Sequence, residues 1–286
     1  MHFRGYNRRT VPESPDLTVV AEAFHAAIAG RSICSVATPG PLAVRGTPAE
    51  AQALVGQIVR TIRRRGKFLL IELDRDAIAV NPMLTGRLQL ASPGAPLPTR
   101  TAVVLGFGPR SQGRRHAAPW TRGAAWLPPD GEGAEIRYRD PTQMGKVYLR
   151  PAGVDRPIPG LGDGELGPDA DDPALTLDMW RDRIKRHPGE LKNLLRNQSF
   201  VAGIGNAYSD EILHAAGLLP FRKRSSLASE EIDGLYRATR ETLESAKAVL
   251  RERVPPTFEK QVRDFLAVHA KGGRSCPRCG ARITEV

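Results

Sequence analysis

The positions of hydrophobic and polar residues divide the chain into a β-rich first half and a helical second half. Short apolar runs at 68–73, 77–80 and 101–107 are separated by turn-forming residues, which is typical of strands. Beyond residue 173, apolar side chains instead recur at every third or fourth position, which is the period of an amphipathic helix. The pattern therefore predicts an α+β protein with an amino-terminal β-sandwich domain followed by a helical domain.

Helix starts are marked by capping residues. Near the amino terminus, Ser14 is a favoured N-cap and Pro15 suits the first position of a helix. In the second half, helices are predicted around residues 177–184 and 191–195, and a long helix is predicted from about Ser229.

A glycine turn interrupts the helical pattern after residue 195. Gly203 and Gly205 tolerate positive φ and close backbone approach, and Asn206 is a suitable N-cap for a helix that ends near residue 216. A glycine turn that opens a helix leaves N–H groups free, and the helix dipole favours an anion there. The segment thus predicts a phosphate site, with a plain helical hairpin whose glycines serve only packing as the alternative.

Composition adds a polyanionic partner to this picture. The 286 residues include 42 Lys and Arg against 31 Asp and Glu, which gives a formal net charge of +11. Such an excess favours nucleic acid first and an anionic membrane surface second. No apolar stretch approaches the ~20 residues of a membrane helix, and the first residues lack the apolar core of a signal peptide. Three cysteines are too few for a disulfide scaffold, so a cytoplasmic protein is expected.

The segment around the glycine turn also resembles a known signature. Residues 191–211 read L-K-N-L-L-R-N-Q-S-F-V-A-G-I-G-N-A-Y-S-D-E, which is similar to the helix–two-turn–helix motif of the formamidopyrimidine-DNA glycosylase / endonuclease VIII family. In that family the loop and the following helix bind DNA phosphates. The resemblance implies that Lys192 and Asn206 contact DNA phosphates, and that Gly205, together with Gly203, shapes the DNA-binding loop.

The segment P-E-S-P-D-L, residues 12–17, resembles the P-E-L-P-E-V start of the same family. There the proline is the amino terminus, its secondary amine attacks the sugar C1′, and the following glutamate handles protons. The resemblance assigns these roles to Pro12 and Glu13. A terminal amine has a pKa near 8, against about 10.4 for lysine, so more of it is neutral and nucleophilic at neutral pH. The iminium that forms acidifies the C2′ proton and opens a β-elimination route to strand cleavage.

Pro12 departs from the family pattern because eleven residues precede it. The nitrogen of an internal proline is an amide and cannot act as the nucleophile. We therefore expect residues 1–11 to be a non-native extension, which arises when a GTG start codon at position 11 is read as valine. Peptide mapping of the native protein tests this expectation, because peptides from residues 1–10 would contradict it.

Two further segments of the first half resemble family motifs. R-R-R-G-K-F-L-L, residues 63–70, is similar to R-R-G-K-Y-L-L. This implies that Lys67 contacts the phosphate beside the lesion and assists elimination, with a charged loop before a strand as the alternative. N-P-M-L-T-G-R-L, residues 81–88, stands where the family has H-L-x-M-x-G-x-L and a methionine that fills the gap left by a flipped nucleotide. Leu84 occupies that place, either as an apolar wedge or as a core residue.

Residues 140–145, D-P-T-Q-M-G, stand where the family often has D-P-R-R-F-G. In glycosylases for oxidised purines, the arginine and the aromatic residue of that loop fill the duplex opposite the flipped base. Thr142, Gln143 and Met144 are poor equivalents. The loop therefore favours an endonuclease VIII-like enzyme or a divergent subgroup. The sequence does not decide which damaged base the enzyme recognises.

The tail contains C-P-R-C-G, residues 276–280, which is half of a four-cysteine zinc site. Many family members complete this ribbon with a second pair of cysteines and carry a phosphate-binding arginine between the pairs, and this sequence has neither. Cys276 and Cys279 are thus candidate metal ligands of an incomplete zinc ribbon, and zinc is a candidate cofactor whose stable binding is not expected. Cys34 is expected to be a core residue of the first domain.

The resemblance covers residues 11–286 and implies four parts. They are a catalytic β-sandwich domain at 12–150, a hinge at 151–173, a helix–two-turn–helix DNA-binding domain at 174–265 and a truncated zinc-finger segment at 266–286.

The implied function is that of a bifunctional DNA glycosylase/AP lyase of base excision repair. It is expected to act as a monomer at the nucleoid of a bacterial cytoplasm, on double-stranded DNA with a damaged base or an abasic site, and without a redox or nucleotide cofactor. One alternative is a catalytically inactive DNA-binding protein of the same fold, in which Pro12 is blocked. Another is a basic protein associated with the ribosome or with RNA.

Overall fold

The computed structural model describes residues 11–110, 128–129, 131–162, 164–254 and 261–285. The α-helices and strands in these ranges are, in chain order, α1 (Ser14–Ile28), β1 (Arg31–Ala37), β2 (Val44–Arg45), α2 (Pro48–Ala53), β3 (Val59–Arg65), β4 (Phe68–Leu73), β5 (Ala77–Asn81), β6 (Arg87–Ala91), β7 (Thr101–Arg110), β8 (Ala134–Arg139), β9 (Lys146–Arg150), α3 (Leu177–Arg186), α4 (Leu191–Arg196), α5 (Asn206–Ala216) and α6 (Ser229–Arg253). Two short 3-10 helices, Pro41–Ala43 and Arg224–Ser226, lie between them.

The strands of the first half form two sheets that share one core. The four-stranded sheet has the order β1-β7-β8-β6, and the five-stranded sheet has the order β2-β9-β5-β4-β3. Buried and half-buried positions alternate along β6, as they do when one face of a strand packs inward. Leu105 of β7, Ile71 of β4 and Phe24 of α1 belong to the same hydrophobic cluster. The predicted β-sandwich is confirmed, with α1 packed into its core.

The second half is helical and has its own core. Trp180 of α3 is fully buried, and its ring lies 4.8 Å from that of Phe200 and 5.8 Å from that of Tyr236 in α6. Leucines of α4 and α6 complete this cluster. The predicted helical domain is confirmed. Among the described residues, no helix is both long and apolar enough to cross a membrane.

Among its described residues, the segment between 151 and 176 that connects the halves contains no helix or strand. Buried charged side chains hold this segment against both halves. Arg64 of β3 contacts Asp169 at 2.7 Å and Asp171 at 2.5 Å, and Asp171 also faces Lys247 of α6 at 3.3 Å. Helix α1 packs against β3 on the sandwich side and against α6 on the helical side. The two halves are therefore joined by both apolar and ionic contacts.

Two predicted N-caps are wrong by one residue. The N-cap of α1 is Glu13, which is extended with φ of −114°, and Ser14 is already helical. The N-cap of α5 is Gly205, and Asn206 is the first helical residue. In both places local capping preference is overridden by a tertiary contact, which is described below.

Cys34 is exposed on β1, which contradicts its predicted place in the core. Side chains alternate along a strand, and the neighbouring Ile33 takes the buried position.

Candidate active site

The carboxylate of Glu13 lies at the amino end of α5, where the two halves of the protein meet. Its oxygens accept hydrogen bonds from three main-chain N–H groups of the glycine turn and the first helical turn. The donors are Gly205 (2.6 Å), Ala207 (2.9 Å) and Tyr208 (3.2 Å). Only 2 % of Glu13 is exposed, and a buried carboxylate requires such donors. The positive end of the helix dipole stabilises the carboxylate further.

The sequence predicts a DNA phosphate at this helix end, but in the structure the N–H groups of Gly205, Ala207 and Tyr208 donate to Glu13. Glu13 supplies the negative charge that the helix end attracts, so Gly205 donates to Glu13. The Ser14 N–H also donates to the carbonyl of Gly203, at 2.9 Å. The glycine turn is thus shaped around the segment that follows Pro12.

Pro12 is buried directly beside Glu13. It lines a cavity of about 40 Å³ whose wall also includes Asp16, Pro82 and Arg87. A cavity of this size has room for water but not for a nucleobase. Val11 precedes Pro12 in the described chain, so the Pro12 nitrogen is an amide there. It becomes an amine only when Pro12 is the first residue.

Lys67 lies in the tight turn between β3 and β4, at the same junction. Gly66 adopts a left-handed φ of 56°, and its N–H donates to Asp169 at 2.7 Å, which fixes the turn. The Lys67 side chain is half-buried. Burial lowers the pKa of its amine, the Glu13 carboxylate opposes that shift, and the charge of Arg196 adds to it. The structure therefore brings Glu13 and Lys67 into one electrostatic environment.

Asp16 and Arg263 are parts of this site that the sequence does not single out. The Asp16 carboxylate accepts from the Glu13 N–H at 2.8 Å and from the Arg263 guanidinium at 2.5 Å. The same guanidinium lies 4.8 Å from the ring centroid of Tyr208, as a cation–π contact. A carboxylate three residues after Glu13 is a capping-box signal that was available in the sequence, whereas nothing in the sequence connects Arg263 with Asp16.

Lys192 and Asn206 line a larger cavity, of about 380 Å³, beside α5. The Lys192 amine lies 2.8 Å from one oxygen of Asp210, and His269 Nδ1 lies 2.8 Å from the other. Burial alone would raise the pKa of Asp210, but hydrogen bonds from His269 and Lys192 hold this pKa below its usual value. Asn206 is exposed. The charge of Lys192 is therefore partly balanced within the protein, and Asn206 is the more accessible of the two side chains.

Comparisons with known proteins place this site in a family. A model of the formamidopyrimidine-DNA glycosylase N-terminal domain matches residues 11–147, and a model of the formamidopyrimidine-DNA glycosylase H2TH domain matches residues 166–254. The formamidopyrimidine-DNA glycosylase of Geobacillus kaustophilus is 32 % identical over 283 residues, which cover 96 % of this chain and 94 % of that protein. The formamidopyrimidine-DNA glycosylase of Moorella thermoacetica is 30 % identical with the same coverage. The chain belongs to the formamidopyrimidine-DNA glycosylase family.

Solved structures of formamidopyrimidine-DNA glycosylases have the same fold. Fpg (MutM) of Lactococcus lactis, in a complex with DNA that contains N7-benzyl-Fapy-dG, matches with a TM-score of 0.78 at 24 % sequence identity. The match covers 96 % of this chain and 94 % of that one. A complex of Lactococcus lactis Fpg with DNA that contains an abasic site matches with the same TM-score, sequence identity and coverage. The shared fold includes both halves of the chain.

Two loops differ from the formamidopyrimidine-DNA glycosylase pattern, and the structure ties them together. Leu84 is half-buried, while its neighbour Met83 is exposed and has φ of 48°. On the second loop Met144 is 50 % exposed. The Thr85 hydroxyl donates to the buried carboxylate of Asp140, which links the loops. Together they present flexible apolar side chains at the surface.

The cysteines of the tail lie in a short turn beside α5. Cys276 Sγ lies 3.4 Å from His214 Nε2. Main-chain N–H groups of Cys279 and Arg278, together with His214, lower the pKa of Cys276 to about 6. A structural zinc ion requires four ligands, and the described part of the chain contains no group of three or more His, Cys, Asp or Glu residues arranged to hold a metal. The residues present in the described ranges do not fit a zinc site, so no role is assigned to zinc.

Proposed function

We propose that this protein excises damaged bases from double-stranded DNA and cleaves the resulting abasic site. The observation that carries the proposal is the position of Glu13. Its carboxylate is buried next to Pro12 at the amino end of α5, a helix of the second half, and it acts on the charge of Lys67. A site assembled from both halves suits a reaction in the cleft between them. Lyase activity is what membership of the family implies.

In the proposed reaction, the neutral secondary amine of terminal Pro12 attacks C1′ of the damaged nucleotide. The glycosidic bond breaks, its electron pair leaves with the base, and the attacking nitrogen loses its proton. The C1′–O4′ bond then breaks, O4′ takes up a proton, and C1′ and the Pro12 nitrogen form an iminium. Loss of a C2′ proton then breaks the C3′–O bond by β-elimination. Glu13 transfers protons in these steps, and Lys67 holds the phosphate beside the lesion and assists elimination.

The proposed DNA surface uses Asn206 and Lys192 for phosphates, with Gly205 shaping the loop beside them, and Leu84 as an apolar wedge. Asn206 is exposed, and the half-buried Leu84 adjoins the exposed Met83, which supports these roles. The formal charge of +11 supports a partner whose affinity falls steeply with salt, because phosphate contacts release counterions. We place the protein in the cytoplasm, at the nucleoid, where this substrate is found.

The proposed division of the chain keeps 12–150 as the catalytic domain, 151–173 as the connecting segment, 174–265 as the DNA-binding domain and 266–286 as the tail. Residues 1–10 lie outside the described ranges. The match to the family model begins at residue 11, which supports the proposal that residues 1–11 are absent from the active form.

Borohydride trapping on a duplex with an abasic site tests the proposal, because borohydride reduces the iminium to a stable amine. Two proteins are compared: the full chain, and a chain processed so that Pro12 is the first residue. We expect a covalent DNA adduct only with the second protein, and peptide mass spectrometry should locate the adduct at Pro12. The Glu13→Gln variant of the second protein is expected to give an adduct more slowly.

The alternatives predict other outcomes of the same experiment. A catalytically inactive DNA-binding protein would bind the abasic duplex without an adduct in either form, and the enzyme proposal would then fail. A protein associated with RNA would prefer RNA over the abasic duplex in competition binding at equal salt.

A further inference from the structure

Arg196 is held next to the loop that binds Glu13. It is the last residue of α4. The Gln198 side chain donates at 2.8 Å to the carbonyl of Arg196 and at 2.8 Å to the carbonyl of Ile204, which precedes Gly205. One amide group thus fixes the end of α4 against the turn that caps Glu13. The position of Arg196 is therefore set by the same structure that positions the proposed acid/base residue.

The Arg196 guanidinium is exposed. Within the described residues no hydrogen bond or ion pair involves that guanidinium or the amine of Lys67. An arginine has five N–H donors that suit the oxygens of a phosphate. The two side chains are thus cations that the described structure leaves with unused donors.

The two cations are close enough to influence each other. The charge of Arg196 contributes to the low pKa of Lys67. Glu13, the carboxylate that opposes this effect, is already bonded to three main-chain N–H groups. Two neighbouring cations repel each other until an anion lies near both. The local charge therefore favours a phosphate at this point.

We infer that Arg196 is a further DNA-binding residue, which contacts a backbone phosphate at the reaction centre beside Lys67. This inference rests on the proposed function. It adds a contact from the end of α4 to those assigned to Lys192 and Asn206.

The first test measures DNA binding as a function of salt, with the Pro12-terminal protein and a duplex that contains an abasic site. Arg196→Ala is compared with Arg186→Ala, which removes an exposed arginine from the end of α3. We expect Arg196→Ala to weaken binding at low salt about tenfold. The slope of log K against log salt should fall in magnitude by about 1. Arg186→Ala should leave both unchanged, and Arg196→Lys should keep the slope.

The second test needs no DNA. An NMR titration of the Lys67 side chain in the free protein reports its pKa directly. We expect this pKa to rise in Arg196→Ala, because a repelling charge is removed, and to stay unchanged in Arg186→Ala. A residue that only stabilises α4 would alter neither the Lys67 pKa nor the salt slope, and circular dichroism of each variant confirms that it is folded.

The outcomes separate this inference from the proposed function. If the parent protein binds the abasic duplex and Arg196→Ala has the salt slope of Arg186→Ala, the role of Arg196 is overturned while the function stands. An unchanged Lys67 pKa in Arg196→Ala would overturn the placement of Arg196 beside Lys67. If the parent protein does not bind or react with the abasic duplex, the proposed function itself fails.

Discussion

Lys67 lies in an environment that disfavours the charged form of its amine. This predicts that Lys67 lowers the stability of the protein although it contributes to the proposed activity. Burial lowers the pKa of its amine, so the charged form is less stable in the folded chain than in water. Lys67→Met should raise the free energy of unfolding at pH 7. The same change should reduce the rate of borohydride trapping about 100-fold, because it removes an acid/base and phosphate contact.

The pH dependence of the Lys67→Met effect has a definite sign. The native pKa lies below the unfolded pKa, so the unfolded chain binds more protons between these values and stability of the parent protein rises with pH there. The stability gained in Lys67→Met should therefore be largest below the native pKa and should shrink as pH rises through it. Urea unfolding at several pH values measures this. The exposed Lys185→Met should show no such trend, and a Lys67→Met variant that is less stable at pH 7 would contradict the argument.

At the scale of single residues, the sequence predicted which residues form the site better than it predicted their hydrogen-bond partners. Resemblance gave Pro12, Glu13 and Lys67 as one constellation, and the chemistry of amines and carboxylates explains those residue types. The N–H donors of Glu13 could not be predicted, because Gly205 lies 192 residues further along the chain. The proposed role of Arg196 could not be predicted from the sequence for the same reason, because Arg196 and Lys67 influence each other only in the folded protein.

At the scale of elements, the buried carboxylate of Asp140 organises the loops at 82–86 and 140–145. It is 1 % exposed and accepts from the Thr85 hydroxyl, from the Gly145 N–H at 2.7 Å and from the Tyr138 hydroxyl at 3.3 Å. Burial alone would raise the pKa of Asp140, but the hydrogen bonds from Thr85, Gly145 and Thr142 hold this pKa below its usual value. The loops are thus a single unit around one acceptor.

Asp140→Asn is expected to loosen this unit. The amide presents donors to groups that already donate, so we expect a loss of about 1–3 kcal/mol in the free energy of unfolding. Excision of a damaged base should slow more than trapping on a preformed abasic site, because the loops carry the proposed wedge that acts during base flipping. Single-turnover assays on both duplexes measure the ratio, with the exposed Asp155→Asn as control. Equal slowing on both substrates would speak against a wedge on these loops.

The elements themselves were largely predictable, and their ends were not. The helical period gave α5 its bounds, and apolar runs gave β4 and most of β5 and β7. The N-caps at Glu13 and Gly205 were missed because a capping side chain was sought within the same segment. In the folded protein the cap of α5 comes from the start of the chain.

At the scale of the whole molecule, the junction between the halves is ionic as well as apolar, and composition alone gives no sign of that. Asp171 lies in a segment that the sequence marks only as a hinge. Its side chain is 8 % exposed and contacts Arg64 of the sandwich and Lys247 of α6. Burial alone would raise the pKa of Asp171, but the charges of Arg64 and Lys247 hold this pKa below its usual value. The connecting segment therefore links the sandwich to α6 through the ionised carboxylate of Asp171.

Asp171→Ala leaves two buried cations short of a partner, so we expect it to cost about 3–5 kcal/mol in the free energy of unfolding. Asp264→Ala breaks a pair with Arg253 in which Asp264 is 70 % and Arg253 43 % exposed, and should cost much less, because exposed ion pairs contribute little to stability. The depressed pKa of Asp171 stabilises the folded protein above the unfolded value, and this stabilisation is lost as pH falls through the native pKa. The difference in the free energy of unfolding between Asp171→Ala and the parent protein, measured by urea unfolding, should therefore become smaller at acidic pH. A loss in Asp171→Ala no larger than that in Asp264→Ala would contradict this role of Asp171.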